Sequence, residues 1–372
     1  MRDAGATQPS LHPRQVLLGA QGATGFLPVC DHYSGVEARM KKSLQLQAEM
    51  AEEFGACVFD VTLDCEDGAP AGAEIEQAHR VVGLANAAFS RAQSPSPQSP
   101  SIAPRIGARL HPVDHAFFAS DAQIVAGGAA ASLAYIMVPK VESLADVELA
   151  VAAIDAAVAH QRQTALPLHV LIESPAAVQQ AFAIARHPRV QSLSFGLMDF
   201  VSAHGGAIPA SAMGVRGAQD NRTLDQFHHP LVLRAKLEIA SACHAAGKVP
   251  SHCVVTEFRD TQALEQAARS AASALGFTRM WSIHPDQIRP ILKAFSPDQA
   301  EIEQACSIVL AAQAQQWAPI ALAGKLHDRA SYRYFWQLLE RAHQTGCTLP
   351  EDVRGFFSPD VALAALCGGQ AV

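Results

Sequence analysis

The chain has 372 residues, of which 49% are hydrophobic and 17% charged, a balance that supports a large buried core and excludes a disordered chain. The net charge is −7 and aromatic residues make up 6%, so the basic and aromatic character of nucleic-acid-binding proteins is missing. The eight cysteines form no CxxC motif, which is typical of reduced thiols and not of a disulfide framework or a zinc site. No apolar run is long enough for a membrane span or a signal peptide, so we expect a soluble cytoplasmic protein that contacts no membrane.

Short apolar runs recur along the chain, and each is followed by a longer, alanine-rich stretch with helical spacing. The runs cover residues 16–18, 57–63, 106–110, 135–139, 169–172, 192–195, 252–255 and 280–283. Residues 36–54, 147–158 and 231–246 show the apolar spacing of helices, and glycines follow the first and the last of these. Alternation of strands and helices predicts a parallel sheet, and eight repeats favour an α/β protein with a closed (β/α)8 TIM barrel.

The expected domain organisation is a barrel over residues 14–295 and a C-terminal helical extension or lid over residues 296–372. The stretch 90–104 contains four prolines among serines and glutamines, so we expect a disordered surface insertion there. Residues 203–230 are rich in glycine and histidine and predict a long loop after the sixth strand, over the barrel mouth. Two further helices are predicted over residues 297–316 and 332–345.

Acidic residues follow three of the predicted strands at the point where each strand ends. Asp64, Glu66 and Asp67 follow the second strand, Glu173 follows the fifth and Asp199 follows the sixth. In a parallel barrel the carboxyl ends of all strands lie on one face, so these side chains are expected to converge there.

Several carboxylates in one place repel one another unless a cation lies among them. Mg²⁺ is the economical choice, because it prefers oxygen ligands and keeps part of its water shell. The alternative is that each acid caps the helix that follows it; the Ser-Pro pair after Glu173 suits a helix start.

Two cationic residues lie at predicted strand ends. Arg109 lies within an apolar run, where its guanidinium needs a partner, so it either stabilises a negatively charged oxygen of the substrate or forms a structural ion pair. Lys140 lies just past the fourth strand, where it either acts as a cation that binds the cofactor portion of the substrate or forms a salt bridge.

The sequence resembles the citrate lyase β-subunit and malyl-CoA lyase branch of the HpcH/HpaI aldolase superfamily. The shared order of short motifs carries the resemblance over residues 55–330: DCEDGAP at 64–70, the Arg109 strand, VPKVES at 138–143, LIES at 171–174, SFGLMD at 194–199, SIHPDQI at 282–288 and GKLHD at 324–328.

This resemblance implies a (β/α)8 barrel in which Glu173 and Asp199 bind Mg²⁺. It also implies that Glu66 and Asp67 hold waters bound to the metal, and that Arg109 stabilises an enolate or carbonyl oxygen. The expected activity is Mg²⁺-dependent cleavage, or formation, of a 3-hydroxyacyl-CoA thioester from an oxo acid and an acyl-CoA.

By the same resemblance, Asp328 lies on a C-terminal segment that reaches the site of a neighbouring subunit, where it acts as an acid or base. The implied assembly is a homo-oligomer, a trimer or a hexamer. Two alternatives stay open: an HpaI-like aldolase that acts on free 4-hydroxy-2-oxo acids, and a non-catalytic subunit of an acyl-carrier lyase complex.

Overall fold

The computed structural model describes residues 12–18, 27–93, 102–159, 161–215 and 224–357. Eight parallel strands form a closed barrel in which each strand pairs with the next along the chain, and the last pairs with the first. This confirms the predicted (β/α)8 barrel. The strands are β1 (Cys30–Ser34), β2 (Phe59–Asp64), β3 (Ile106–Arg109), β4 (Tyr135–Val138), β5 (Leu168–Ile172), β6 (Val190–Phe195), β7 (Val249–His252) and β8 (Arg279–Ser282).

Helices alternate with these strands. All three helices predicted from apolar spacing begin within three residues of the expected positions, and left-handed glycines at 55 and 247, with φ of 68° and 66°, end the first and the third. The helices are α1 (Pro13–Leu18), α2 (Glu37–Phe54), α3 (Glu74–Ala92), α4 (Phe118–Asp121), α5 (Leu144–Val158), α6 (Pro175–Arg186), α7 (Leu197–Ser202), α8 (Pro230–Ala246), α9 (Thr261–Ser273), α10 (Ile288–Phe295), α11 (Gln299–Ala314), α12 (Arg329–Gln344) and α13 (Glu351–Arg354).

Two strand predictions were wrong in position. Residues 16–18 belong to helix α1, and the first strand is β1, whose sequence CDHYS carries buried polar side chains and therefore shows no apolar run. The seventh strand was expected over 252–255, but β7 begins at Val249. Its Ser251 and His252 are buried polar residues, whereas Val255 packs in the core beyond the strand.

The chain divides into two compact units, residues 27–295 with the barrel, and residues 1–26 together with 296–372. The N-terminal helix α1 thus groups with the C-terminal unit, and not with a barrel starting at residue 14 as expected. Within that unit, Leu17 and Leu18 share a core with Tyr332 and Trp336 of α12. The unit also contains an antiparallel hairpin, β9 (Ile320–Leu322) and β10 (Lys325–His327). The helices predicted over 297–316 and 332–345 correspond to α11 and α12.

Two expected loops lie partly outside the described residues. Helix α3 extends to Ala92, so the start of the predicted insertion at 90–104 is helical, and residues 94–101 lie outside the description. In the 203–230 stretch a short 3-10 helix covers Ala210–Met213, and residues 216–223 are outside the description. None of the described helices has the length and apolar character needed to cross a bilayer. None of the seven described cysteines forms a disulfide. The cytoplasmic location stays a prediction.

A buried ionic layer fills the barrel near the starts of its strands. The Arg279 guanidinium, fully buried on β8, lies 2.7 Å from Asp60 and 3.1 Å from Asp31. Arg105 donates to the other oxygen of Asp60 at 2.8 Å, and Thr62 donates to Asp31 at 2.7 Å. Because every charge in this layer has an opposite charge beside it, polar strands such as β1 can be buried.

Replacing Arg279→Met should destabilise the protein by about 3–5 kcal/mol, because it leaves Asp31 and Asp60 buried without their shared cation. Urea unfolding followed by circular dichroism measures this loss. The matched control is Arg289→Met, which removes the exposed Arg289–Glu53 pair and should leave the midpoint nearly unchanged. Equal midpoints for the two variants would contradict a stabilising role of the buried layer.

Candidate active site at the barrel mouth

The predicted acids lie around the carboxyl ends of β2, β5 and β6. Asp64 is the last residue of β2, and Glu66 follows two residues later. Glu173 directly follows β5, and Asp199 lies in the first turn of α7, which follows β6. Because all eight strands are parallel, these carboxylates share one rim of the barrel.

Arg109, the last residue of β3, is held by two of these acids. Its Nε and Nη2 atoms donate to the two oxygens of Asp64 at 2.7 and 2.6 Å, and Nη1 lies 3.1 Å from Glu66. Asp64 also accepts backbone N–H bonds from Glu66 and Gly68. Burial lowers the pKa of Arg109, but Asp64 and Glu66 outweigh burial and hold it above its ordinary value. The guanidinium is therefore a fixed, permanent cation.

Aromatic rings line the barrel beside this cation. The Arg109 guanidinium carbon lies 5.0 Å from the centre of the Tyr33 ring, and Tyr33 in turn lies 5.4 Å from the Trp281 ring. The Trp281 indole donates to Ser194 at 3.2 Å. Sequence reasoning missed Tyr33 because it assigned the first strand to residues 16–18. The available signal was the position of residues 30–34 shortly before helix α2, where a strand of the alternating pattern should lie. The Tyr33 ring excludes water from one side of the arginine and strengthens its field.

Lys140 connects the two groups of acids. Its backbone has φ of 50°, a left-handed conformation that is uncommon for lysine, and its N–H donates to the Glu173 carboxylate at 2.7 Å. The side chain turns the other way, with Nζ 2.5 Å from Glu66 and 3.1 Å from Asp67. Burial lowers the pKa of Lys140, but the neighbouring Glu66 and Asp67 carboxylates raise it by more, so the pKa lies above its ordinary value. These contacts support the salt-bridge alternative for Lys140.

Glu173 is 6% exposed and carries the most perturbed carboxyl of the rim. Burial raises its pKa to about 8; the Lys140 amide opposes this shift, and the nearby Asp199 charge adds to it. Gly196 lies against the same carboxylate, because a Cβ atom at that position would be 2.6 Å from Glu173 Oε2. Glu173 and Asp199 therefore lie at adjacent strand ends, where the charge of Asp199 acts on Glu173.

This pair suits a hard cation. Both candidate ligands are carboxylates, and a cation beside them would offset the cost of burying the Glu173 charge and its repulsion by Asp199. Within the described ranges, no cluster of three or more His, Cys, Asp or Glu side chains is placed to hold a metal. Mg²⁺ is commonly held by one or two carboxylates with waters and substrate completing its shell, so Glu173 and Asp199 remain the candidate ligands.

Asp328, the predicted acid or base, belongs to the other compact unit. There it caps helix α12, with one carboxylate oxygen accepting the N–H groups of Ala330 at 2.9 Å and Ser331 at 3.3 Å. The cap engages one oxygen of the carboxylate. Its predicted role in the site of a neighbouring subunit stays a prediction.

Residues 44–285 match the family model described as HpcH/HpaI aldolase/citrate lyase, and the chain is a carbon–carbon lyase. It belongs to that family, as predicted. It is 30% identical over 245 residues to L-malyl-CoA/beta-methylmalyl-CoA lyase of Rhodobacter capsulatus, a match that covers 61% of this chain and 73% of the relative.

Solved structures agree with this assignment. A citrate lyase from Burkholderia xenovorans LB400 is 44% identical with a TM-score of 0.73, covering 94% of this chain and 100% of that chain. The protein CitE of Mycobacterium tuberculosis was crystallised with magnesium, acetoacetate and coenzyme A. It is 20% identical with a TM-score of 0.57, covers 85% of this chain and 98% of that one, and supports the fold alone.

The raised pKa of Glu173 predicts how stability depends on pH when no metal is added. An unfolded glutamate ionises near pH 4.5, whereas Glu173 in the folded protein ionises near pH 8, so the unfolded state loses its proton first. The free energy of unfolding should therefore fall as pH rises from 4.5 to 8, by on the order of 5 kcal/mol from this group.

Urea titrations at several pH values check this prediction. Glu173→Gln should flatten the fall, whereas Glu142→Gln, at an exposed carboxylate near the same rim, should leave it unchanged. The same slope in native protein and in Glu173→Gln would contradict the assignment.

Proposed function

We propose that this protein is a Mg²⁺-dependent lyase that cleaves, or forms, a 3-hydroxyacyl-CoA thioester, with an oxo acid and an acyl-CoA as the other side of the reaction. The observation that carries the proposal is the fixed Arg109 guanidinium at the same rim as the Glu173 and Asp199 pair. One group stabilises a developing anion, and the other suits a cation that binds an oxo acid. The malyl-CoA lyase relative from Rhodobacter supports a coenzyme A thioester as substrate.

Arg109 supplies the stabilisation of the enolate oxygen. A guanidinium has five N–H bonds, and the contacts with Asp64 and Glu66 engage three of them. The remaining N–H bonds are available to the substrate, and the arginine needs no reorientation because Asp64 already fixes its plane. A fixed donor of this kind lowers a barrier by on the order of 3 kcal/mol.

Glu173 and Asp199 are the proposed metal ligands. A bound Mg²⁺ would polarise the carbonyl of the oxo acid and fix its position. Glu66 and Asp67, the proposed holders of metal-bound waters, are anchored by the ammonium group of Lys140. Coenzyme binding by Lys140 stays a prediction beside this anchoring role.

The C-terminal unit is proposed to act between subunits. Asp328 at the start of α12 would supply an acid or base to the barrel of a neighbouring copy, in a trimer or a hexamer. The second carboxylate oxygen of Asp328 is available for this role, because the helix cap uses the first.

A panel of citryl-, malyl-, methylmalyl- and citramalyl-CoA, assayed with and without Mg²⁺, tests the function. Cleavage that requires the metal supports the proposal. Cleavage of free 4-hydroxy-2-oxo acids with no response to acyl-CoA would instead favour an HpaI-like aldolase. Binding of Mg²⁺ without turnover of any thioester would favour a non-catalytic subunit.

Asp199→Ala should abolish Mg²⁺-dependent cleavage, by at least about 100-fold in kcat/KM, because one of two protein ligands is lost. The fold should persist, since Asp199 lies at a helix start and not in the core. The control is Asp286→Ala, at a mostly exposed aspartate after β8, which should keep native turnover. Retained activity in Asp199→Ala would remove Asp199 from the site.

Gly196→Ala should weaken Mg²⁺ binding by about tenfold or more, because the added methyl group would overlap the Glu173 carboxylate and displace it. Isothermal titration with MgCl2 measures this change without any assay of turnover. The matched control is Gly83→Ala on α3, where an added Cβ meets no heavy atom within 4 Å. Unchanged affinity in Gly196→Ala would show that Glu173 does not bind the metal.

A further inference from the structure

His111 lies two residues beyond Arg109, the last residue of β3. Arg109 faces the site, Ala108 and Leu110 pack in the core between barrel and helices, and the Leu110 N–H still bonds to Met137 of β4. Because successive side chains of an extended segment point to opposite sides, His111 follows Arg109 on the face toward the site. It lies one step further toward the mouth.

A buried aspartate orients the His111 ring. Asp121 of α4 is fully buried, and its Oδ2 atom accepts the backbone N–H of His111 at 2.9 Å and contacts ring Nδ1 at 2.7 Å. On one face the ring stacks on His115, with ring centres 4.4 Å apart and planes within 8°. With Nδ1 donating to the carboxylate, the neutral ring keeps its lone pair on Nε2.

The Nε2 atom is the open end of this ring. It forms no hydrogen bond with any residue in the described ranges, and it is not among their enclosed, unpartnered polar atoms. The side chain as a whole is 9% exposed. A histidine fixed at Nδ1 by a buried carboxylate and open at Nε2 has the arrangement of a general base in an active site.

The other ionisable groups of the rim are committed elsewhere. Asp64 and Glu66 bind Arg109, and Asp67 binds Lys140. Glu173 and Asp199 are the proposed metal ligands. Within the barrel, His111 is the rim group that combines a fixed orientation with a free proton-accepting atom.

We propose that His111, oriented by Asp121, transfers the proton during carbon–carbon bond cleavage, as the alternative within the barrel to Asp328 of a neighbouring copy. This inference rests on the proposed lyase function. His111 Nε2 takes the proton of the substrate 3-hydroxyl group, the oxygen electron pair forms the new carbonyl, and the electron pair of the broken C–C bond becomes the enolate of the acyl thioester. The imidazolium then returns the proton to the enolate carbon, so no oxidant or reductant is needed.

The test compares native protein with His111→Gln in thioester cleavage at saturating Mg²⁺. General acid–base catalysis contributes about 10²–10⁴-fold, so kcat should fall by at least about 100-fold while KM changes by less than about threefold. The control is His228→Gln, which removes a second His–Asp pair with the same 2.7 Å contact at a largely exposed side chain, and it should keep native turnover.

Chemical rescue separates proton transfer from structural support. Free imidazole should raise the activity of His111→Ala at least tenfold, and it should not change the activity of Asp199→Ala. Asp121→Asn should lower kcat without removing the histidine, since an amide can donate to Nδ1 and favour the wrong tautomer. Circular dichroism and thermal unfolding confirm that each variant is folded.

The pH profile of kcat/KM is the second readout. The groups that face His111 are Asp121 on α4, the stacked His115 and Glu74 at the start of α3, while the buried Cys65 after β2 lies near Asp121. Loss of the acidic limb in His111→Gln, with the limb kept in His115→Gln, would assign that limb to His111.

Each outcome decides between the proposals. The role of His111 is overturned if the native protein cleaves a thioester and His111→Gln keeps turnover within threefold of native. It is also overturned if imidazole does not rescue folded His111→Ala. Either result leaves the lyase function standing. Absence of cleavage by the native protein across the whole panel overturns both.

Discussion

The pairing of Arg109 with Asp64 is a direct result of the barrel register, and the rest of the site is built around it. The two residues are partners across the β2–β3 ladder, where a slip of one position would turn their side chains to opposite sides. Asp64 is fixed in turn by two backbone N–H bonds from the turn that follows it. The same turn carries Glu66, which contacts both Arg109 and Lys140. The fold therefore aims the guanidinium before any substrate arrives.

Charge is handled differently at the two ends of the barrel. Near the strand starts, Arg279 and Arg105 neutralise Asp31 and Asp60; both aspartates and Arg279 are buried, and Arg105 is partly exposed. At the mouth acids outnumber bases: the cations of Arg109 and Lys140 are used by the acids after β2, and Glu173 has only a backbone N–H as donor among the described residues. Burial raises its pKa, and the charges of Asp199 and Glu66 add to the shift. An excess of buried negative charge is what a divalent cation would remove.

The sequence allowed the acids to be predicted but not their partners. Glu173 and Asp199 follow apolar runs that identify strands β5 and β6, so their placement at one rim follows from the fold class alone. Strand β1 was misplaced because its buried residues are polar and find their partners on β2 and β8, which no local pattern reveals. The binding of Arg109 to Asp64 depends on register, and the left-handed backbone of Lys140 depends on tertiary contacts. Long-range pairing therefore sets the limit of sequence reasoning here.

One strand end meets two chemical demands of the proposed reaction. Alternation along β3 and its extension predicts the same face for Arg109 and His111, so the group proposed to stabilise the enolate and the group proposed to move the proton are two residues apart. Each is held by an aspartate that is itself fully buried, Asp64 for the arginine and Asp121 for the histidine. Both aspartates also accept backbone N–H bonds, so neither moves independently of the main chain. Groups oriented in this way need no rearrangement when charge develops, and such preorganisation is the main source of electrostatic catalysis in enzymes.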